Sequence, residues 1–323
     1  VVILLLLARL TAPAQAQPAS QALAFAVNAS ASAPKDYARL TQLPAGFGSG
    51  EFTVEVWIKP DTAFPVGSTR PENTEAQRRN WSDADIAPYS RGDWWFEGNF
   101  LLDGHNNASF GAGTFSLQWY GGGRVRWLIG DGACACPGDI WSVGAHPATQ
   151  TPSLLDGNWH ALSLVRRWSG ASASRYELWV DGALVASETS PVRTDLWDGY
   201  WRDWASFPTH QEGWFWGEEK QAAIGALSEY EDYKGLVDEL RLWTRAKSPT
   251  EIASRHNRAV IGTEPGLAAA WSFDGGSLCS RVGASACLTL SQSPATMLAN
   301  ANPPLLPSDL VLTPRVWLPT LRK

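Results

Sequence analysis

The sequence predicts an all-β sandwich, on three observations. Short runs alternate apolar and polar residues, clusters of Gly, Pro, Asn and Asp separate those runs, and only one brief segment carries the signals of a helix. The composition agrees. With 29 Gly, 21 Pro and 18% charged residues the chain is turn-rich, and 44% hydrophobic residues supply ample material for a core. The net charge of −6 and the lack of a basic run argue against nucleic-acid binding.

The strands follow in order. In "EFTVEVWIKP", Phe52, Val54, Val56 and Ile58 face one way and Thr53, Glu55, Trp57 and Lys59 the other, the period of a strand. "GTFSLQWYGGGRVRWLIGDG" reads as two strands joined at Gly121–Gly123. "RYELWVDGALVASE" reads as a hairpin, because Asp181-Gly182 suits the left-handed angles of a tight two-residue turn. "NWHALSLVRRW" and "KGLVDELRLWTR" add two more strands. The helix is "SPTEIASRHN": Ser248 caps it, Pro249 opens it, Glu251 closes a capping box and Ile252 is its apolar contact, so it should lie across the end of a sheet. Trp57, Trp119, Trp127, Trp159, Trp179, Trp243 and Trp271 fall within these runs and read as packing residues.

The two ends read differently. "VVILLLLARLTAPAQAQ" pairs an apolar run with an Ala14-Gln15-Ala16 cleavage pattern, so residues 1–16 read as a signal peptide, too short to span a bilayer. The mature chain is expected to be secreted, extracellular or at the cell surface, with no membrane span. From Ser293 the alternation fades and prolines accumulate, so residues 293–323 read as a Pro-rich tail. Four cysteines fit an oxidising compartment. Cys279 and Cys287 flank a short polar loop, where a bridge is worth roughly 2.5 kcal/mol by loop closure. Cys134 and Cys136 are two apart, a strained spacing, and pair either weakly with each other or with the distant pair.

Four patterns stand in one order: "FTVEVWIKP", then "DGNWHALSLVRRW" running into "YELWVDGALVAS", then "GLVDELRLWTRAKSPTEI", then "AAWSFDGG". Together with "ALAFAVNASASAPKDYARL" near the start, they resemble the laminin G-like family of the concanavalin A-like sandwiches. The resemblance implies a two-sheet antiparallel jelly roll over residues 17–292, with one short helix and two long loop insertions, about 61–95 and 190–217. It implies a packing role for His160. It also admits several functions: glycan-binding lectins, calcium-dependent domains, protein-binding adhesion modules and some glycoside hydrolases.

The residues narrow that choice. Hydrolases of this fold carry paired carboxylates on one strand as Glu-x-Asp-x-(x)-Glu, and the sequence has no such run. "SEYEDYKG" is the nearest, and it reads as a solvated acidic turn, so no catalytic residue is assigned and an enzyme is disfavoured. Calcium takes six to eight oxygens, and the resemblance places acidic ligands at Asp238 and Asp274, with Glu231 and Asp232 as further candidates. Glycan binding rests on "DLWDGYWRDWASFPTHQEGWFWG", residues 195–217. Trp197, Trp201, Trp204, Trp214 and Trp216, with Tyr200, offer flat faces to sugar C–H groups, and Arg202 and Asp203 offer hydrogen bonds. Five exposed indoles would make an apolar patch of about 1,000 Å², beyond what monomers usually leave bare, so most should be self-buried, with Trp201 and Trp204 outside. The expected partner is a glycan; the alternative is a cell-surface protein.

Overall fold

The computed structural model describes residues 21–25, 37–40, 44–62, 99–104, 115–120, 124–130, 140–144, 152–191, 193, 222–225, 235–283, 286–290, 296–299, 303 and 305. Alternating segments pair into two antiparallel sheets. The first holds β1 (Gln21–Phe25), β3 (Phe52–Pro60), β8 (His160–Ser169), β9 (Ala173–Val180), β10 (Ala183–Ser190), β12 (Gly235–Trp243), β13 (Leu267–Trp271) and β15 (Thr296–Ala299). Its order is β10-β9-β8-β3-β12-β1-β15, with β13 also on β12. The second holds β2 (Tyr37–Leu40), β4 (Asn99–Gly104), β5 (Phe115–Tyr120), β6 (Arg124–Gly130), β7 (Ile140–Gly144), β11 (Ala222–Gly225) and β14 (Leu288–Leu290), in the order β14-β2-β11-β4-β5-β6-β7. This is the predicted jelly-roll sandwich. Strand β15 lies past Ser293, where the sequence pattern fades, and pairs with β1 from Gln21↔Ala299 to Ala24↔Thr296.

The core fills the space between the sheets, as the alternation requires. From the first sheet come Phe52, Val54, Val56, Ile58, Leu164, Tyr176, Leu178, Val237, Leu240 and Leu242; from the second come Ala38, Leu102, Leu117, Val125, Trp127 and Ile129. Trp127 of β6 spans the gap. Its ring meets Phe52 of β3 at 5.9 Å and Tyr176 of β9 at 5.3 Å, both edge-on, the favoured geometry for aromatic pairs.

The opposite face of the first sheet is buried as well. Helix α1 (Pro249–Arg255) crosses it, with the predicted capping box of Ser248 and Glu251 both made. Its buried Ile252 packs on Val165 of β8 and Trp179 of β9, so the helix covers the sheet face. Arg245 grips Glu251 through two bonds of 3.0 and 2.7 Å, and that bonding holds the Glu251 carboxyl down at about 2. The same sheet face holds a buried polar network. Glu55 takes Lys247 Nζ at 2.5 Å and Trp243 Nε1 at 2.9 Å, while Arg241 bonds Glu239 at 2.7 Å. Beside it, Glu177 of β9 accepts from Arg167, Arg175 and Trp179. Of the packing tryptophans, Trp57, Trp127, Trp179, Trp243 and Trp271 are buried, and Trp159 is half-buried.

The β9–β10 turn has Asp181 at φ 49° and Gly182 at φ 78°, as its Asp-Gly sequence predicts. A Cβ on Gly182 would sit 2.5 Å from His256 Nδ1 and 3.2 Å from the Ala253 carbonyl. Gly182→Ala is therefore expected to lower stability by about 1–3 kcal/mol in thermal or urea unfolding, from strain and clash together.

Candidate functional site

Two places carry the candidate residues that the sequence singles out. The aromatic segment joins β10, the outermost strand of the first sheet, to β11, in the interior of the second. Its root is visible. Arg193 lies over the Trp168 ring at 4.5 Å and donates to the Gly170 and Ala173 carbonyls. Arg166, bonded to the Gly48 and Gly50 carbonyls, lies 4.9 Å from the same ring. Trp197, Tyr200, Trp201, Arg202, Asp203, Trp204, Trp214 and Trp216 lie outside the described residues, as do Glu231, Asp232, Cys134 and Cys136.

The second place is Asp238 of β12. Between the pairs Asp238↔Trp57 and Arg241↔Glu55, three steps on β12 face two on β3, which makes a bulge. Glu239 absorbs it with φ 48°. Asp238 is fully buried. Its Oδ1 accepts the Glu239 N–H at 2.7 Å, while its Oδ2 has no hydrogen-bond partner among the described residues. The facing Trp57 Nε1, also buried, has none either. Burial first, then the neighbouring charge of Glu239, pushes the Asp238 carboxyl up to about 9, and Asp274 adds to this.

Asp274 follows β13, in a 3-10 turn (Asp274–Gly276) that starts after Phe273 at φ 55°. Its carboxylate holds Arg281 at 2.6 Å, and Arg281 also donates to Ser272 Oγ. Arg281 sits in the loop closed by the Cys279–Cys287 disulfide, the bridge that the spacing predicts. The loop is docked by backbone bonds, Arg281 N–H to the Ala270 carbonyl and Leu288 N–H to the Leu278 carbonyl. Among the described residues no three His, Cys, Asp or Glu side chains gather as a metal-binding group. The donors still suit a hard cation in part: one buried, unpartnered carboxylate oxygen and a second carboxylate whose charge it feels.

Sequence reasoning missed two features. The Glu55–Lys247 pair joins residues 192 positions apart, and nothing local in either segment signals the other. His160 is more than a packing residue: both its ring nitrogens are bonded to carboxylates. Among the described residues no helix is long and apolar enough to cross a membrane.

Comparison with known proteins accords with this architecture. A family model described as the concanavalin A-like lectin/glucanases superfamily matches residues 90–253. A Bacteroides ovatus ATCC 8483 protein to which carbohydrate binding has been ascribed superposes with a TM-score of 0.51 at 15% identity, over 88% of this chain and 61% of its own. The chain thus spans about three-fifths of that protein, and at this identity the likeness is one of fold. The heptameric SAP-like pentraxin of Limulus polyphemus gives 0.41 at 12% identity, over 85% of this chain and 95% of its own. Domains LG4-5 of the mouse laminin α1 chain give 0.37 at 14%, over 71% and 44%. No curated protein matches the sequence. The matched model covers half of the chain, and the two packed sheets carry the fold it describes: the chain belongs to the concanavalin A-like lectin/glucanases superfamily.

Proposed function

We propose that this chain is a secreted, non-catalytic module that binds extracellular or cell-surface carbohydrate, with calcium as a structural partner. The observation that carries the reading is the segment 195–217, where five tryptophans are interleaved with Asp, Arg, His, Gln and Glu side chains. It interrupts a sandwich of this superfamily between an outer strand of one sheet and an inner strand of the other. Indole faces pack on sugar C–H surfaces, and the neighbouring polar groups reach the hydroxyls. The Bacteroides ovatus protein of the same fold, with its ascribed carbohydrate binding, supports the same class of ligand.

Calcium enters at Asp238 and Asp274, with Glu231 and Asp232 as further ligands. The buried, unpartnered Oδ2 of Asp238 supports this, because a cation there satisfies a group that otherwise stays costly to bury. A glycan-array screen of the intact chain, run in calcium and in chelator, tests the reading. Retention on at least one glycan, weakened by chelator, is expected. Retention that ignores chelator removes calcium from the account; release of product from a bound glycan would make the chain a hydrolase; and capture of cell-surface protein without any glycan would favour the adhesion reading.

A further inference from the structure

We infer that Asp156, His160 and Asp181 form a pH-sensitive latch that ties the loop before β8 to the β9–β10 turn. His160 opens β8 and is 8% exposed. Its Nδ1 lies 2.8 Å from Asp181 Oδ2 and its Nε2 lies 3.0 Å from Asp156 Oδ1. An ionised carboxylate only accepts hydrogen bonds, so both ring nitrogens must carry hydrogen, and only the imidazolium does so. Once one proton leaves, one nitrogen turns a lone pair toward a carboxylate and that bond becomes a repulsion.

The two carboxylates are not held alike. Asp181 is fixed by the backbone: its Oδ1 accepts the Ala161 N–H at 2.8 Å, and its own N–H donates to the Ala161 carbonyl at 2.8 Å. Asp156 is held from its own loop, by the Asn158 N–H at 2.8 Å. The remaining ring hydrogen therefore stays with Asp181, and Asp156 is released. Leu154, buried in the core, and Leu155, packed against it, keep the start of the loop docked, so the opening is confined to residues 156–159.

The surroundings leave these two carboxylates as the controlling charges. Strand β3 places Ile58 opposite His160, with Lys59 and Asp61 next along the chain. Helix α1 brings His256 over Gly182, beside Asp181, where its Nδ1 lies 3.2 Å from the Ala253 carbonyl. Burial alone would pull the His160 pKa down, but Asp181 and then Asp156 outweigh it, so it stands above the ordinary 6.5. The Asp156 carboxyl is held down at about 2, chiefly by Asn158. The latch is thus closed while His160 is protonated between its two carboxylates, and it opens as pH rises through the raised His160 value.

An NMR titration of the intact chain tests this, following the imidazole signals of all five histidines and the amides of residues 156–159. His160 should titrate above 6.5 with both nitrogens protonated before the step, and the loop amides should shift with the same midpoint. Asp156→Asn, at a half-exposed position that folding tolerates, should lower that midpoint by about half a pH unit or more and uncouple the loop amides from it. A His160 midpoint at or below 6.5, loop amides that ignore the titration, or an unmoved midpoint in Asp156→Asn would each overturn the latch.

Discussion

Glu55→Ala lowers the unfolding free energy by about 3–5 kcal/mol, measured by urea denaturation. Glu55 is 4% exposed, Lys247 is 4% exposed, and their 2.5 Å contact is the Lys247 ammonium's only carboxylate bond among the described residues. Removing the carboxylate strands that buried ammonium, with the Trp243 ring 4.7 Å away as its remaining neighbour of note. It also frees the Trp243 N–H and takes away a negative charge 3.9 Å from the Arg241 guanidinium. Most of the loss is the penalty of an unpaired buried charge rather than the worth of the pair. Replacing both partners, as Glu55→Met with Lys247→Met, should therefore cost far less than Glu55→Ala alone. Equal losses in the single and the double variant would show that the pair itself is the source of stability.

Asp238→Asn raises stability in chelator at neutral and alkaline pH, and it removes the response to calcium. The sign follows from the pKa. The Asp238 carboxyl is raised from 3.8 to about 9 by folding, so its contribution is favourable below 3.8 and is lost progressively as pH rises toward about 9. Without a cation the wild-type protein should thus lose stability along that slope, and calcium should flatten it by neutralising the ionised carboxylate. Asparagine carries no charge in either state, so the variant should show neither the slope nor the calcium effect. Thermal unfolding across that pH range, in calcium and in chelator, reads both. A variant that remains as calcium-responsive as the wild type would place the cation elsewhere.

The alternation of apolar residues in the sequence reports one face of each strand correctly and misleads about the other. Phe52, Val54, Val56 and Ile58 enter the core as the period requires, but Thr53, Glu55 and Trp57 are buried too. Period two reads such a face as solvent-exposed, whereas here α1 and the segment leading into it cover it, and the polar residues are satisfied by partners far along the chain. The β12 bulge was equally hidden, since Asp238-Glu239 has no glycine to mark a positive φ. The short signals fared better. Asp181-Gly182, the Ser248–Glu251 capping box and the Cys279–Cys287 spacing each describe a local structure, and each appears where the sequence puts it. For the candidate site, Asp238 and Asp274 were legible through the family pattern, but the Arg281 contact and the two carboxylates on His160 depend on tertiary approach. The tryptophans of residues 195–217 mark themselves by composition alone, which does not say which ring faces outward.

The central claim is that this sandwich holds carbohydrate through those tryptophans, and retention on polysaccharide tests it most directly. The intact chain and the double variant Trp201→Ala, Trp204→Ala are compared on the glycans found in the array, with their melting temperatures measured alongside. Retention of the wild type and its loss in the double variant, at an unchanged melting temperature, is the predicted result. Unchanged retention, or a large fall in melting temperature that marks the two rings as packing residues, would contradict it.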